Sequence, residues 1–301
     1  MTVYYHEFDG AVSKIQTLPL TLNKSAPGFL TDVDLDGIVL TQALNYYARA
    51  LSKNERAQDF LKDRCIFDKE AISQFHLGFA DRTLGLSLQR LNQLEQDKSR
   101  GALQRIGLLK PSGHEFFRGA IIFPFTDSSG NVNGGYGRRI THKLKSHSVY
   151  HVHCLTEQTT FFNVSALEKY SVIILCKNPI DALSWWCYGY KNCISLMGIF
   201  GFSKYHLKQL KSHGIKQVYL AFGATEDELS VSWIIGRQLM RTNIAVNFII
   251  YPNAMDANAL VQSTDNPQKA LHRCLMHSLM VATSIKGKLT LGGRKYAKGK
   301  K

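Results

Sequence analysis

The chain has 301 residues, of which 45% are apolar and 20% charged, and this excludes a largely disordered protein. Thirty-seven Lys and Arg against 23 Asp and Glu give a net charge of +14, which favours polyanionic partners, since each base that meets a phosphate releases condensed counterions. No run approaches the ~20 apolar residues of a membrane-spanning helix, and the opening MTVYYHEFDG lacks the basic-then-apolar order of a secretory signal; a cytoplasmic protein with no membrane partner is expected.

In chain order, residues 1–36 read as short strands and loops, with Pro19, Pro27 and an acidic loop holding Asp32, Asp34 and Asp36. A helix is predicted from near Gly37, because Val39, Leu40, Ala43, Leu44, Tyr47, Ala48 and Leu51 recur at helical spacing. A second helix over about 54–64 presents Ala57, Phe60 and Leu61, and shorter ones are expected at 68–75 and 84–94. Near Phe116 the character changes. Residues 120–125 form a β-rich run, the cluster from Asp127 to Asn131 is a hairpin turn, and 132–140 is the return strand. A basic loop with Arg138, Arg139, Lys143 and Lys145 follows.

From about Ser171 strands and helices alternate. Apolar strands are predicted at 172–176, 193–197, 218–222 and 244–251, with helices opening at Pro179, Ser203 and about Asp227. Near-continuous apolar strands separated by helices predict a parallel sheet covered on both faces. The functional crevice of such a sheet lies at the carboxyl ends of its strands. Here those ends are Cys176-Lys177-Asn178, Met197-Gly198, Phe222-Gly223-Ala224-Thr225 and Tyr251-Pro252-Asn253.

Six cysteines (Cys65, Cys154, Cys176, Cys187, Cys193 and Cys274) contain no C-x-x-C pair, which argues against a zinc ribbon and for reduced, largely buried thiols. His151, His153 and Cys154 are close in sequence, and on a strand the two histidines share a face, but no fourth metal ligand is evident. Between Lys286 and Lys301 lie seven bases (Lys286, Lys288, Arg294, Lys295, Lys298, Lys300 and Lys301) and no acid, a tail suited to solubility or to nucleic acid.

These residues, in this order, resemble the catalytic core of bacterial DNA primases with its TOPRIM domain. The likeness runs through Tyr47, Ala57, Phe60-Leu61-Lys62-Asp63-Arg64, Ile72, Phe75 and Leu77-Gly78-Phe79-Ala80. It continues through Arg118-Gly119-Ala120-Ile121-Ile122-Phe123-Pro124-Phe125 with Asp127, Gly130, Val132, Gly134 and Arg138. Phe161-Phe162-Asn163 with Leu167, the element from Ile173 to Leu183, and Asp256-Ala257-Asn258-Ala259-Leu260 complete it over about residues 40–265. The resemblance implies a basic N-terminal subdomain beside a TOPRIM fold, DNA as the template, and RNA-primer synthesis with magnesium (Mg2+) held by acidic residues.

The sequence departs from that family at the ligands. Asp181 and Asp256 are kept as the residual catalytic and metal-binding acids, but Lys177 stands where the pattern calls for Glu, followed by Asn178 instead of Gly. The expected Asp-x-Asp falls on Gly223 and Thr225, so three of five acids are missing. At ~4 Å and an effective dielectric near 20, an ammonium beside a dication costs on the order of 8 kcal/mol, so an impaired, magnesium-poor site is expected. Lys177 is either a plain strand-end lysine or a point charge for a phosphate. Glu226, Asp227 and Glu228 are either relocated ligands or first-turn acids that suit a helix dipole.

The bases Arg118, Arg138, Arg139, Lys143 and Lys145 are candidates for backbone phosphates, with Tyr136 either a base-stacking ring or a core aromatic; Trp185 and Trp186 read as helix core. The expected architecture is α/β: residues 1–36 an N-terminal segment, 37–165 a smaller basic α+β subdomain, 166–265 a degenerate TOPRIM-type parallel sheet flanked by helices, and 266–301 a helix and basic tail. Neither a zinc-binding module before the core nor a helicase-binding domain after it is expected. The function expected is binding of single-stranded or primed DNA in replication or a mobile element's life cycle, with a replication helicase or mobile-element proteins as further partners. Two alternatives stand beside it: an active primase or TOPRIM nuclease with relocated ligands, and a non-catalytic subunit of a replication complex.

Overall fold

A computed structural model describes residues 2–5, 16–19, 32–141, 149–154, 160–283 and 289–292. They fall into two compact units, one of residues up to Asp63 with Phe67–Thr160, the other of Arg64–Ile66 with the chain from Phe161 on.

The first unit opens with β1 (Thr2–Tyr5) and β2 (Gln16–Pro19), paired antiparallel. Helices α1 (Asp32–Lys53), α2 (Glu55–Asp63) and α3 (Lys69–Gln74) follow, the last capped by Asp68, whose carboxylate accepts from the Ala71 N–H at 2.8 Å. After β3 (Gly78–Phe79) come α4 (Leu84–Ser87), a 3-10 turn at Leu88–Arg90, and α5 (Gln93–Arg105). Strands β4 (Ala120–Thr126), β5 (Val132–Arg139) and β6 (His151–Cys154) complete an antiparallel sheet in the order β3-β4-β5-β6. Its core joins Val39, Ala43 and Tyr47 of α1 to Leu84, Leu103, Phe117 and Ile122, the stripe the 3.6-residue period predicts.

Two expectations change here. The first helix begins at Asp32, not near Gly37. Acids in a first turn complement the helix dipole, and Asp36 gains a partner distant in sequence, Arg105, whose Nη2 lies 2.6 Å from its Oδ1. The single helix expected at 84–94 is instead a short helix, a 3-10 turn and the start of a longer helix. Leu91 is extended and Asn92 caps the new helix by accepting from the Glu95 N–H at 3.0 Å, which ends one element and begins the next.

The second unit runs through α6 (Ala166–Lys169), β7 (Val172–Cys176), α7 (Pro179–Trp186), β8 (Cys193–Ser195), α8 (Lys204–Ser212), β9 (Gln217–Ala221), α9 (Glu226–Met240) and β10 (Ala245–Phe248). A 3-10 turn at Pro252–Ala254 leads to α10 (Ala257–Gln262), α11 (Pro267–Met276), β11 (Leu279–Thr283) and β12 (Leu289–Gly292). The sheet order is β12-β11-β10-β9-β7-β8. Strands β8, β7, β9 and β10 are parallel, as the apolar runs predict.

The sheet is not wholly parallel. Beyond α11, where a tail was expected, β11 returns antiparallel to β10 and β12 pairs with β11. The chain reaches β11 from β10 through α10 and α11, whereas β12 follows β11 after only five residues, as antiparallel neighbours can. The core of this unit is built from the buried strand residues Ile173, Leu175, Ile194, Val218, Leu220 and Val246, with Phe222, Ile235 and Leu239. Trp185 and Trp186 are buried, as helix core.

Candidate functional site

In the second unit, β7 and β9 are hydrogen-bonded neighbours with Cys176 opposite Ala221, so the residues that follow them leave the sheet side by side. Lys177 is the first residue past β7. The turn after β9 carries Gly223, Ala224 and Thr225 into α9, and the segment after β10 brings Asp256 to the start of α10. Three carboxylates close around one ammonium there. Lys177 Nζ donates to Glu228 Oε1 at 2.6 Å and to Asp256 Oδ2 at 2.9 Å, and lies 3.9 Å from Asp181 Oδ2.

Each carboxylate is held by a helix start. Asn178 caps α7, accepting from the Asp181 N–H at 3.0 Å, and its own amide donates back to Asp181 Oδ2 at 2.9 Å. Asp256 caps α10 through the Ala259 N–H at 2.9 Å, leaving its other oxygen for Lys177. Thr225 and Glu228 form a reciprocal capping box, in which Glu228 Oε2 accepts from the Thr225 N–H at 3.0 Å and from its hydroxyl at 2.8 Å. Glu228 Oε1 is then turned to Lys177.

Gly223 makes the room. It holds φ at +132°, and a Cβ built on it would come within 2.7 Å of Glu228 Cδ. The carboxylate of residue 228 thus lies in the space that a side chain at 223 would fill. Of the first-turn acids, Glu226 and Asp227 are exposed at the start of α9, as the dipole reading has it, whereas Glu228 is buried in the cluster.

Asn258 is a site residue that sequence reasoning missed. Its side chain is buried, donating to the Arg64 carbonyl and to Ser184 Oγ, both at 2.9 Å, while its Oδ1 accepts from Arg64 Nη1 at 2.9 Å. Its backbone N–H donates to Asp181 Oδ1 at 3.2 Å. Its place in the matched motif Asp256-Ala257-Asn258-Ala259-Leu260 marked the position, but nothing in the sequence gave the side chain a role.

The electrostatics follow from burial and charge. Burial by itself would lower the Lys177 ammonium, but the carboxylates of Asp181 and Asp256 and the hydrogen bonds to Glu228 and Asp256 hold it well above the ordinary lysine range. Burial pushes Asp181 up to about 8, helped by Asp256 and opposed by Lys177 and the Asn258 N–H. Burial works against Asp256 as well, yet Lys177, the Ala259 N–H and Arg64 keep it below the usual carboxylate range.

This arrangement does not fit a divalent ion. An Mg2+ bound to these oxygens at about 2.0–2.1 Å would overlap the place the ammonium takes. Among the described residues, no three His, Cys, Asp or Glu side chains stand in a metal-holding arrangement. Nor does Lys177 stand as a bare strand-end lysine; only 17% of its side chain is exposed, and its donors are directed at carboxylates.

The predicted DNA-facing bases lie in the first unit. Arg118 is exposed just before β4. Arg138 lies 4.7 Å over the Tyr150 ring with Nη1 3.4 Å from His151 Nε2, and Arg139 donates to the Val149 carbonyl at 2.6 Å. As consecutive strand residues, Arg138 and Arg139 point to opposite faces of β5. Tyr136 is 1% exposed, a core ring bonded through its hydroxyl to His151 Nδ1 at 2.6 Å and packed against His151 and His153, which share its face. Lys143 and Lys145 lie outside the described residues, as do Lys286, Lys288, Arg294, Lys295, Lys298, Lys300 and Lys301. No helix among the described residues is long and apolar enough to cross a membrane.

Comparison with known proteins places both units. Residues 46–163 match the family model for the DNA primase catalytic core, N-terminal domain, and residues 174–261 match a Toprim-like family. The DNA primase of Borreliella burgdorferi is 26% identical over 237 residues, covering 74% of this chain and 45% of that protein. That of Campylobacter jejuni is 24% identical over 282 residues, covering 89% and 45%. The chain thus spans less than half the length of these curated relatives. Among solved structures, the Aquifex aeolicus primase (zinc-binding and RNA polymerase domains) superposes with a TM-score of 0.69 at 20% identity, covering 82% of this chain and 62% of that one. The DnaG primase catalytic domain bound to single-stranded DNA gives 0.65 at 15% identity, with 82% of each chain covered.

Proposed function

We propose, for a chain that belongs to the bacterial DNA primase catalytic-core family and carries that core's N-terminal domain followed by a Toprim-like domain, a role in DNA replication as a DNA-binding protein whose primer-synthesis site is impaired. The observation that carries this reading is the ammonium of Lys177, 2.6 Å from Glu228 and 2.9 Å from Asp256. A cation held by the chain itself stands where carboxylates would otherwise bind magnesium, and divalent ions are what organise a triphosphate for attack by a primer hydroxyl.

The DNA ligand in this reading is single-stranded or primed template; the solved primase domain named above is bound to single-stranded DNA. Arg118, Arg138 and Arg139, with Lys143 and Lys145, supply phosphate contacts, and the net charge of +14 supplies long-range attraction. The replicating DNA is that of the cell or of a mobile element, with a replicative helicase or element-encoded proteins as further partners.

The test pairs two assays on one preparation. Fluorescence anisotropy on a labelled single-stranded oligonucleotide should show binding that weakens with salt and is indifferent to EDTA. Template-directed ribonucleotide incorporation with magnesium should give no primers. Magnesium-dependent primers that disappear in Asp181→Ala and Asp256→Ala would overturn the impaired-site reading. They would favour the second one, an active enzyme with a relocated ligand, for which the placement of Glu228 speaks.

A further inference from the structure

We infer that Lys177 and Glu228 form a paired replacement in the Toprim-like unit: the lysine ammonium is the unit's resident cation, and Glu228 is a relocated carboxylate that reaches it through the space left open at Gly223. This deepens the functional reading and rests on it only for the identity of the site.

Two independent features of the fold carry it. The first is the geometry of the ammonium, which has two direct carboxylate bonds and lies 3.9 Å from a third group, Asp181. The cluster draws its members from the end of β7, the first turn of α7, the start of α9 and the cap of α10. Buried or half-buried carboxylates without a cation would repel one another, and the single charge of the ammonium offsets part of that repulsion. The second feature is steric and involves no charge. Any side chain at position 223 would meet Glu228, with Cδ at 2.7 Å from its Cβ, and the backbone there is at φ +132°, which favours glycine. A carboxylate on residue 223 and the observed position of Glu228 are therefore mutually exclusive.

The two replacements also explain each other. Lys177 in place of an acid would leave an ammonium with fewer carboxylates to meet, and Glu228 restores one from the first turn of α9. Thr225 also fixes Glu228 through the capping box, a contact that does not involve the lysine.

The inference is tested by manganese binding to the full chain, followed by the EPR signal of free Mn2+. Wild-type protein should take up no manganese that Asp256→Asn abolishes, and its melting temperature should be the same in EDTA and in manganese. Lys177→Met and Lys177→Gln should each gain one site, seen as uptake of one Mn2+ per chain and a manganese-dependent rise in melting temperature. Adding Glu228→Gln to either variant should weaken that uptake tenfold or more. A variant that folds only when manganese is present gives the same support. Wild-type uptake that Asp256→Asn removes would overturn the inference, as would folded Lys177 variants that bind no manganese, or a gained site indifferent to Glu228→Gln. If both variants fail to fold with or without manganese, the wild-type measurement decides. Primer synthesis by a wild type that binds no manganese at Asp256 would sink the functional reading and leave this one standing. Manganese at Asp256 without synthesis would do the reverse.

Discussion

Glu228 and Gly223 compete for one volume: the glutamate carboxylate lies where a side chain on the glycine would begin, with Cδ at 2.7 Å from the position of that Cβ. Gly223→Ala is therefore expected to displace the carboxylate from Lys177 and to strain the backbone, destabilising the protein by about 2 kcal/mol or more. In urea titrations the double variant Gly223→Ala with Glu228→Ala should lose less than the sum of the two single losses, because the clash is gone. Additive losses would mean that the two residues do not share the space.

Lys177 is the partner of three acids, and removing it leaves them uncompensated. Lys177→Met should cost about 3–5 kcal/mol, the range for breaking one side of a buried ion pair. Lys177→Arg should cost less, since the charge is kept although the planar guanidinium cannot reproduce the ammonium's contacts. Chemical denaturation without divalent ions measures both.

Asp181 gives the stability a pH dependence of known sign. Its carboxyl is pushed up to about 8 by burial, so between about pH 4 and pH 8 the folded protein holds a proton there that the unfolded chain has released. That contribution favours the fold at low pH and fades as pH rises through this window. Asp256, held low, acts the other way, with stability present above the ordinary carboxylate range and lost as pH falls through its depressed value. Asp181→Asn should gain stability relative to wild type as pH rises from 4 to 8, read from urea midpoints. A constant difference across that range would contradict the assignment.

Asn258 ties Arg64 and Ser184 together beside the Asp181 carboxylate. Asn258→Ala leaves a buried serine hydroxyl and a carbonyl without their donor and should cost about 1–3 kcal/mol. Asn258→Asp keeps the acceptor for Arg64 but removes both N–H donors and adds a charge beside Asp181, so it should cost at least as much.

For nucleic acid, the salt slope separates phosphate contacts from other roles. Arg118→Gln and Arg138→Gln should each weaken single-stranded DNA uniformly across sequences and lower the slope of log affinity against log salt by about 0.7, the value for one phosphate contact on a single strand. An unchanged slope would make that arginine a purely structural group. For Arg138 the competing role is its stack on Tyr150.

The α/β alternation, the parallel strands β7, β8, β9 and β10 and the β4–β5 hairpin were legible in the sequence, because a continuous apolar run, a helical stripe and a turn cluster are local patterns with local causes. So were the departures at Lys177, Gly223 and Thr225, which needed only an ordered set of motifs to align against. What these departures do was decided by tertiary structure. The sequence left Lys177 free to face a phosphate or solvent, and it left Glu228 as one of three consecutive first-turn acids. Only the pairing of β7 with β9 brings residue 177 to residue 228, fifty-one positions away in sequence, and only the empty space at Gly223 lets that carboxylate through. Such contacts depend on which strands are neighbours and on what volume is left vacant, and no window along the chain contains either quantity.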